Sequence, residues 1–347
     1  MKIGNRNIGE NHPCFIIAEL SANHNGSLEV AIETIRAAKR TGADAIKLQT
    51  YTPDTMTIDE NNEHFQIKEG TLWDGKTLYE LYKEAYTPWE WHEELFKVAA
   101  EEGLMCFSSP FDITAVDFLE KFDVPVYKIA SFEIQDIPLI EYTASKGKPI
   151  IISTGIATKE DIQLAVDTCR NVGNEDIVLL KCTSSYPAPL DLANLNTIPD
   201  IKNQFNVEVG FSDHTYGSLA PAIATTLGAN VIEKHFILNK SIGGPDADFS
   251  LDEKEFTEMV KAVRDTEKML GVPNYEVSEK VKKNRKFARS LFVVKDIKKG
   301  DVLSSENVRS IRPGNGMHPK YYNQILGKTV NEDIKRGTPL SLNQINR

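Results

Sequence analysis

Cysteine is scarce. Cys14, Cys106, Cys169 and Cys182 are the only four in 347 residues, and no two form a CxxC pair. Isolated thiols at wide spacing exclude a disulfide-stapled secreted fold, and they are expected to stay reduced in a cytoplasmic chain. Long apolar runs are missing as well. No stretch approaches the ~18 uninterrupted apolar residues of a membrane span, and the opening MKIGNRNIGENHP holds no apolar signal core, so neither secretion nor membrane insertion is expected. Positive charge is in deficit, with 40 Lys and Arg against 50 Asp and Glu and a net charge of −10. That balance, without any long basic run, disfavours nonspecific binding to nucleic acid, and an anionic ligand would need cations placed locally.

What is present is a globular α/β pattern. The length exceeds one small core and fits one large barrel with a modest second domain. Eight short apolar runs read as buried parallel strands, because they lack the alternation of a half-exposed strand: Phe15–Leu20, Ala45–Thr50, Met105–Pro110, Val126–Ser131, Pro149–Thr154, Ile177–Cys182, Glu208–Asp213 and Val231–Phe236. Amphipathic stretches between them, such as Leu28–Arg40, Pro88–Glu102, Lys159–Val172 and Leu219–Leu227, are long enough for parallel crossovers. Eight β-then-α units over about 270 residues predict a (β/α)8 TIM barrel. The rival, a doubly wound open sheet, would carry a Gly-rich phosphate turn after its first strand, where this chain has SANHNGS. After a last helix, Glu253–Leu270, the polar stretch Pro273–Arg285 reads as linker, which sets the expected domains at 1–272, 273–286 and 287–347. The last of these repeats a short unit: Asp296-Ile-Lys-Lys-Gly300 is echoed by Asp333-Ile-Lys-Arg-Gly337, which predicts a small pseudo-symmetric β domain.

In such a barrel the working residues sit at the C-terminal ends of the strands. Nearly every run here ends polar: Glu19; Lys47 and Gln49; Ser108 and Ser109; Lys128, Ser131 and Glu133; Ser153 and Thr154; Lys181, Thr183 and Tyr186; Ser212, Asp213 and His214; Glu233, Lys234 and His235. Their convergence on one mouth describes a small-molecule site. His214 and His235 end neighbouring strands, so both imidazoles could reach one divalent metal ion; the alternative for each is a hydrogen-bonded core histidine. His64, His92 and His318 lack such a setting and are expected at the surface. Lys47 and Lys128 lie inside apolar strands, where an unpaired ammonium is costly. An anionic ligand explains both, and a buried salt bridge to Glu19 or Glu133 is the alternative.

The ordered set FIIAELSANHNGS, IKLQTYTPDTMT, FSSPF, YKIASFE, IISTGIAT, LKCTSSYP, GFSDHT, IEKHF and GGPDADFSL, followed by FARSLFVVKDIKKG and RSIRPGNG, covers essentially the whole chain and resembles the sialic-acid synthase family. Within that family, YTPDTMT and LWDGKTLYELYKEAYTPWEWH are most similar to the pseudaminic acid synthases. The resemblance implies a (β/α)8 barrel with a C-terminal antifreeze-like (SAF, β-clip) domain, working as a domain-swapped homodimer. It implies metal-dependent condensation of phosphoenolpyruvate with an amino-sugar aldehyde, 2,4-diacetamido-2,4,6-trideoxy-L-altrose in this subfamily. Mannosamine-type acceptors of N-acetylneuraminate or legionaminate synthases are the alternative.

Residue by residue, His214 and His235 match the ligands of a divalent ion, manganese with magnesium or cobalt as substitutes. Lys47, Ser109, Lys128, Ser131, Ser153 and Ser212 match positions holding phosphoenolpyruvate. Glu19, Gln49, Tyr186, Asp246 and Arg312 match the reacting centre or the sugar site, and Glu133 matches a carboxylate that handles a proton. Arg312 belongs to the C-terminal domain and is implied to serve the partner subunit's barrel. Ser184 and the loop Leu72–Gly75 depart from the N-acetylneuraminate synthase pattern, which has Asn in both places, and Trp73 is read either as an apolar sugar contact or as a loop anchor. Two other classes fit some of these residues. A Schiff-base aldolase built on Lys128 is one. A non-catalytic scaffold is the other, and it would not keep polar residues at nearly every strand end.

Overall fold

The computed structural model describes residues 1–68, 70 and 73–346. The chain divides into two compact units, Met1–Gly271 and Val272–Arg347. The first is built on eight parallel strands: β1 (Phe15–Glu19), β2 (Ala45–Thr50), β3 (Met105–Pro110), β4 (Tyr127–Ile129), β5 (Ile150–Ser153), β6 (Ile177–Cys182), β7 (Glu208–Asp213) and β8 (Val231–His235). They run β3-β2-β1-β8-β7-β6-β5-β4, so the first strand pairs with the last. β3 and β4 pack side by side without a hydrogen-bonded ladder, and the result is a near-closed TIM-type barrel. A two-residue hairpin, Lys2–Ile3 with Arg6–Asn7, precedes it.

The helices form where the sequence caps them. Ser27 accepts a hydrogen bond from the Val30 amide at 3.3 Å and starts the helix Leu28–Thr41, and Gly42 ends it at φ 86°, a left-handed value that costs glycine little. That helix buries Ala31, Thr34, Ile35, Ala38 and Thr41, a one-sided spacing that lays it against the strands. Asp252 and Glu255 form a capping box that opens the helix Glu253–Leu270. With helices covering the outside and side chains filling the inside, the strands are buried on both faces, which is why they read as continuous apolar runs. Among the described residues no helix is long and apolar enough to cross a membrane.

The second unit has its own apolar core, which includes Leu291, Val293, Ile297, Leu303, Val308, Val330, Ile334 and Leu340. Its strands Ser290–Val293 and Val308–Ile311 pair antiparallel. The echoed turns explain one another. Asp333 accepts from the Lys299 amide at 2.8 Å and from Lys298 Nζ at 2.8 Å, while Asp296 accepts from the Arg336 amide at 2.8 Å and from Lys335 Nζ at 3.1 Å. Each repeat therefore satisfies the other's exposed backbone donors across a bridge between Ile297 and Ile334. Residues 272–289 carry no buried side chain, and the helix Glu279–Asn284 lies within the stretch expected as linker.

Candidate active site

Strand register decides which side chains meet inside the barrel. Glu19 on β1 stands opposite Lys47 on β2, and their side chains form an ion pair in which both are almost completely buried. Lys47 Nζ also lies 3.3 Å from Ser109 Oγ and 3.9 Å from Glu233 Oε1. Glu233 extends from β8 to Lys128 on β4, with Nζ 3.1 Å from Oε1, and accepts from Ser212 Oγ at 3.3 Å. The salt-bridge alternative for the lysines is thus realised, but the carboxylate on Lys128 is Glu233 and not Glu133. Charges of alternating sign, Glu19, Lys47, Glu233 and Lys128, share one buried floor, where an isolated member would be very costly. Burial lifts the Glu19 carboxyl to about 7 against the pull of Lys47. Burial likewise draws the Lys128 ammonium down, opposed by Glu233. Against burial, Lys128 and Lys47 keep the Glu233 carboxyl below its ordinary range.

On the β4 to β6 side, Ser131 Oγ accepts from Ser184 Oγ at 3.0 Å, and Ser153 Oγ is buried without a hydrogen-bond partner among the described residues. A methyl group on Gly155 would sit 2.5 Å from Ser131 Oγ and 2.1 Å from Ser184 Oγ, so only glycine lets the β5 end approach these hydroxyls. A buried hydroxyl with a donor to spare suits an anion's oxygen. Glu133, in the turn Ser131–Glu133 after β4, has Oε2 buried and without a hydrogen-bond partner among the described residues, and burial lifts its carboxyl to about 7.

At the ends of β7 and β8 the His214 and His235 rings lie 5.4 Å apart between centroids. His214 Nδ1 is 3.0 Å from the Thr183 carbonyl oxygen, which can only accept, so Nδ1 carries the proton and Nε2 offers a lone pair. His235 Nδ1 is buried, has no hydrogen bond among the described residues, and lies 3.7 Å from Asp246 Oδ2. Burial, and then the neighbouring cations, hold His235 well below its ordinary range, hence neutral. Against burial, Cys182 holds His214 above its ordinary range, so a divalent ion would compete with a proton for its Nε2, whereas His235 offers a neutral donor. Among the described residues no group of three or more His, Cys, Asp or Glu side chains is assembled to enclose such an ion, so water or substrate oxygens would complete the shell.

His92 corrects the surface expectation. It is wholly buried, with Nε2 2.8 Å from Thr50 Oγ1 and its ring edge-on to Phe118, a hydrogen-bonded core histidine. His64 and His318 are exposed. Arg312 is an exposed residue of the second unit.

Above the floor opens a cavity of about 230 Å³. Its lining includes the polar Gln49, Ser131, Glu133, Tyr186, His235 and Asp246 and the mainly apolar Tyr51, Met56, Trp73, Leu81, Tyr82 and Phe111. Gln49 Nε2 donates to Glu19 Oε1 at 3.1 Å and to Ser21 Oγ at 3.0 Å, tying cavity to floor. The Tyr186 ring lies 4.3 Å from that of His214 and 6.1 Å from that of Trp73, whose indole N–H donates to the Pro245 carbonyl at 3.3 Å. Trp73 is therefore at once a cavity wall and a loop anchor; Leu72 lies outside the described residues. Apart from Trp73, no motif marks the apolar residues of the cavity, and none marks Glu233 as the partner of Lys128. The period of the helix Leu78–Ala85 was the available signal for Leu81, whereas nothing local marks Phe111 as cavity-facing.

The chain matches the NeuB family over residues 34–275 and the SAF domain over 288–346. It is 54% identical over 340 residues to the pseudaminic acid synthase of Campylobacter jejuni subsp. jejuni, covering 98% of each chain. It is 51% identical over 336 residues to the pseudaminic acid synthase of Helicobacter pylori, covering 96% of this chain and 98% of that one. Among solved structures, the spore coat polysaccharide biosynthesis protein spsE of Bacillus subtilis superposes with a TM-score of 0.69 at 33% identity, covering 100% of this chain and 99% of that one. A buried Lys–Glu floor, paired imidazoles and a cavity at the mouth of a TIM barrel, followed by a SAF domain, thus stand in a chain that belongs to the NeuB family.

Proposed function

We propose that this chain is a pseudaminic acid synthase, which joins phosphoenolpyruvate, water and 2,4-diacetamido-2,4,6-trideoxy-L-altrose to give pseudaminic acid and phosphate. The observation that carries the reading is the full-length identity of 54% to an enzyme of that activity, coupled with a lysine and serine floor beneath a cavity of sugar size. Lys47 and Lys128 hold the carboxylate and phosphate, with Ser109, Ser131, Ser153 and Ser212 donating to their oxygens; this fixes the pose and turns an encounter into a positioned reaction. Gln49, Tyr186 and Asp246 hold the open-chain sugar. Carbon 3 of phosphoenolpyruvate attacks the aldehyde carbon, and the positive charge that develops at carbon 2 is stabilised by Glu19. Water adds there, and collapse of the tetrahedral carbon expels phosphate. With a carboxyl near 7, Glu133 can both give and take a proton at neutral pH, and it is the group placed to serve the sugar oxygen and the attacking water. A divalent ion, manganese with magnesium or cobalt as substitutes, held by His214 and His235, would supply Lewis-acid polarisation of the aldehyde.

The same reading places the enzyme in the cytoplasm as a domain-swapped homodimer, in which Arg312 serves the sugar site of a partner copy. Exposed Phe132, Ile156, Leu190 and Tyr216, each in the segment that follows one of the strands β4 to β7, support a covering copy, since exposed apolar side chains at one end of a barrel suit an interface. The deciding experiment follows phosphate release with manganese, comparing the trideoxy-altrose, N-acetylmannosamine and no sugar. Release with the trideoxy sugar is the expected result. Preference for N-acetylmannosamine would move the chain to a sialic acid synthase, and release with neither would overturn the reading.

A further inference from the structure

We propose that the apolar wall contributed by the segment between β2 and β3, with Met56, Leu81 and Trp73 as its principal residues, is the device that selects an acceptor carrying a methyl group at carbon 6 over one carrying a hydroxymethyl group. This inference rests on the synthase reading above and adds the residues that set its substrate class. The cavity has two characters. Among the described residues no lysine or arginine lines it, so it lacks the cations that hold a dianion on the floor and suits a neutral sugar. Its polar part, Gln49, Glu133 and Asp246, offers acceptors for hydroxyl and amide N–H groups. Among the described residues of its apolar part the hydroxyl groups are the phenols of Tyr51 and Tyr82, while Met56, Leu81 and Phe111 offer no group that could pair a further hydroxyl.

The wall is held in place from both ends. Thr77 caps the helix Leu78–Ala85 through a capping box with Glu80, which presents Leu81 inward, 9% exposed. Thr52 caps Pro53–Met56 in the same manner. Trp73 leans on Tyr186 and donates to Pro245 O at 3.3 Å, one residue before Asp246, so the wall is anchored beside a sugar-binding carboxylate. A hydroxyl turned onto Met56 and Leu81 loses its water and is offered no partner by either side chain, whereas a methyl gains dispersion contacts there. Apolar pockets of this kind discriminate by about tenfold to a few hundredfold.

The experiment uses the full chain with manganese and measures kcat/KM for the trideoxy sugar and for N-acetylmannosamine in wild type, Met56→Gln and Leu81→Asn. Both substitutions place an amide where a hydroxyl could pair, and Met56 is half-buried, so that variant preserves the fold if Leu81→Asn does not. The expected result is a fall of about fivefold or more in the preference for the trideoxy sugar, with the KM for phosphoenolpyruvate within about twofold of wild type. An unchanged preference in a folded variant overturns the inference, as does a parallel rise in the KM for phosphoenolpyruvate, which would place the wall at the wrong substrate. Failure of wild type itself to use the trideoxy sugar would instead overturn the synthase reading.

Discussion

Lys128→Met should separate the structural from the functional role of the buried floor. Lys128 Nζ lies 3.1 Å from Glu233 Oε1, and the next cation, Lys47, is 3.9 Å away and already engaged by Glu19. At an effective dielectric of ~20, the 3.1 Å pair attracts by about 5 kcal/mol. Removing one partner of a buried pair typically costs about 3–5 kcal/mol, because the remaining charge keeps its desolvation penalty. For a unit of this size that corresponds to a fall of roughly 6–20 °C in the midpoint of thermal unfolding at fixed scan rate. The double variant Lys128→Met with Glu233→Gln leaves no charge stranded, and Ser212 can still donate to the amide oxygen, so about half or more of the lost midpoint should return. The KM for phosphoenolpyruvate, in contrast, should rise tenfold or so in the single variant and stay high in the double, since the anion has lost its ammonium either way. A single variant within ~2 °C of wild type, or a double variant as unstable as the sum of its parts, would refute the reasoning.

Three further outcomes are expected. His235→Ala should abolish manganese-dependent turnover while leaving the unfolding midpoint near that of wild type; full activity would remove His235 from the metal site. Glu133 binds its proton up to about 7 in the folded chain and only to the ordinary carboxylate value of 4.5 once unfolded, so stability should fall as pH rises between those values, by up to ~3 kcal/mol, and Glu133→Gln should flatten that slope in denaturant titrations. An undiminished slope in the variant would assign the effect to other groups. Gly155→Ala would press a methyl group against Ser131 and Ser184, and a severalfold higher KM for phosphoenolpyruvate is expected, with the acceptor KM moved less; equal effects on both would argue against a phosphoenolpyruvate-specific role for the serines.

Much of the architecture was legible beforehand because a TIM barrel repeats one local rule. Buried parallel strands are apolar on both faces and helices are amphipathic between caps, so β1 to β8 emerge within a residue or two of the expected runs. The polar residues at strand ends were legible for the same reason, since strand ends are where the barrel places its mouth. The histidines show the limit. His92 lies in a segment whose periodicity suits a surface helix, and only the aromatic cluster of Phe96, Phe118 and Phe122 around it, drawn from separate helical segments, makes it core.

Local pattern alone determined the (β/α)8 order, the echo of the two Asp-Ile-Lys turns, and the set of polar groups at the mouth, because each depends on neighbours a few residues apart. Tertiary structure alone decided that Lys128 pairs with Glu233, 105 residues away in sequence, and that Met56, Trp73, Leu81 and Phe111 share a wall. Partner choice inside a barrel is set by register across closed strands and by loops folding back over the mouth, and neither leaves a periodic mark in the chain.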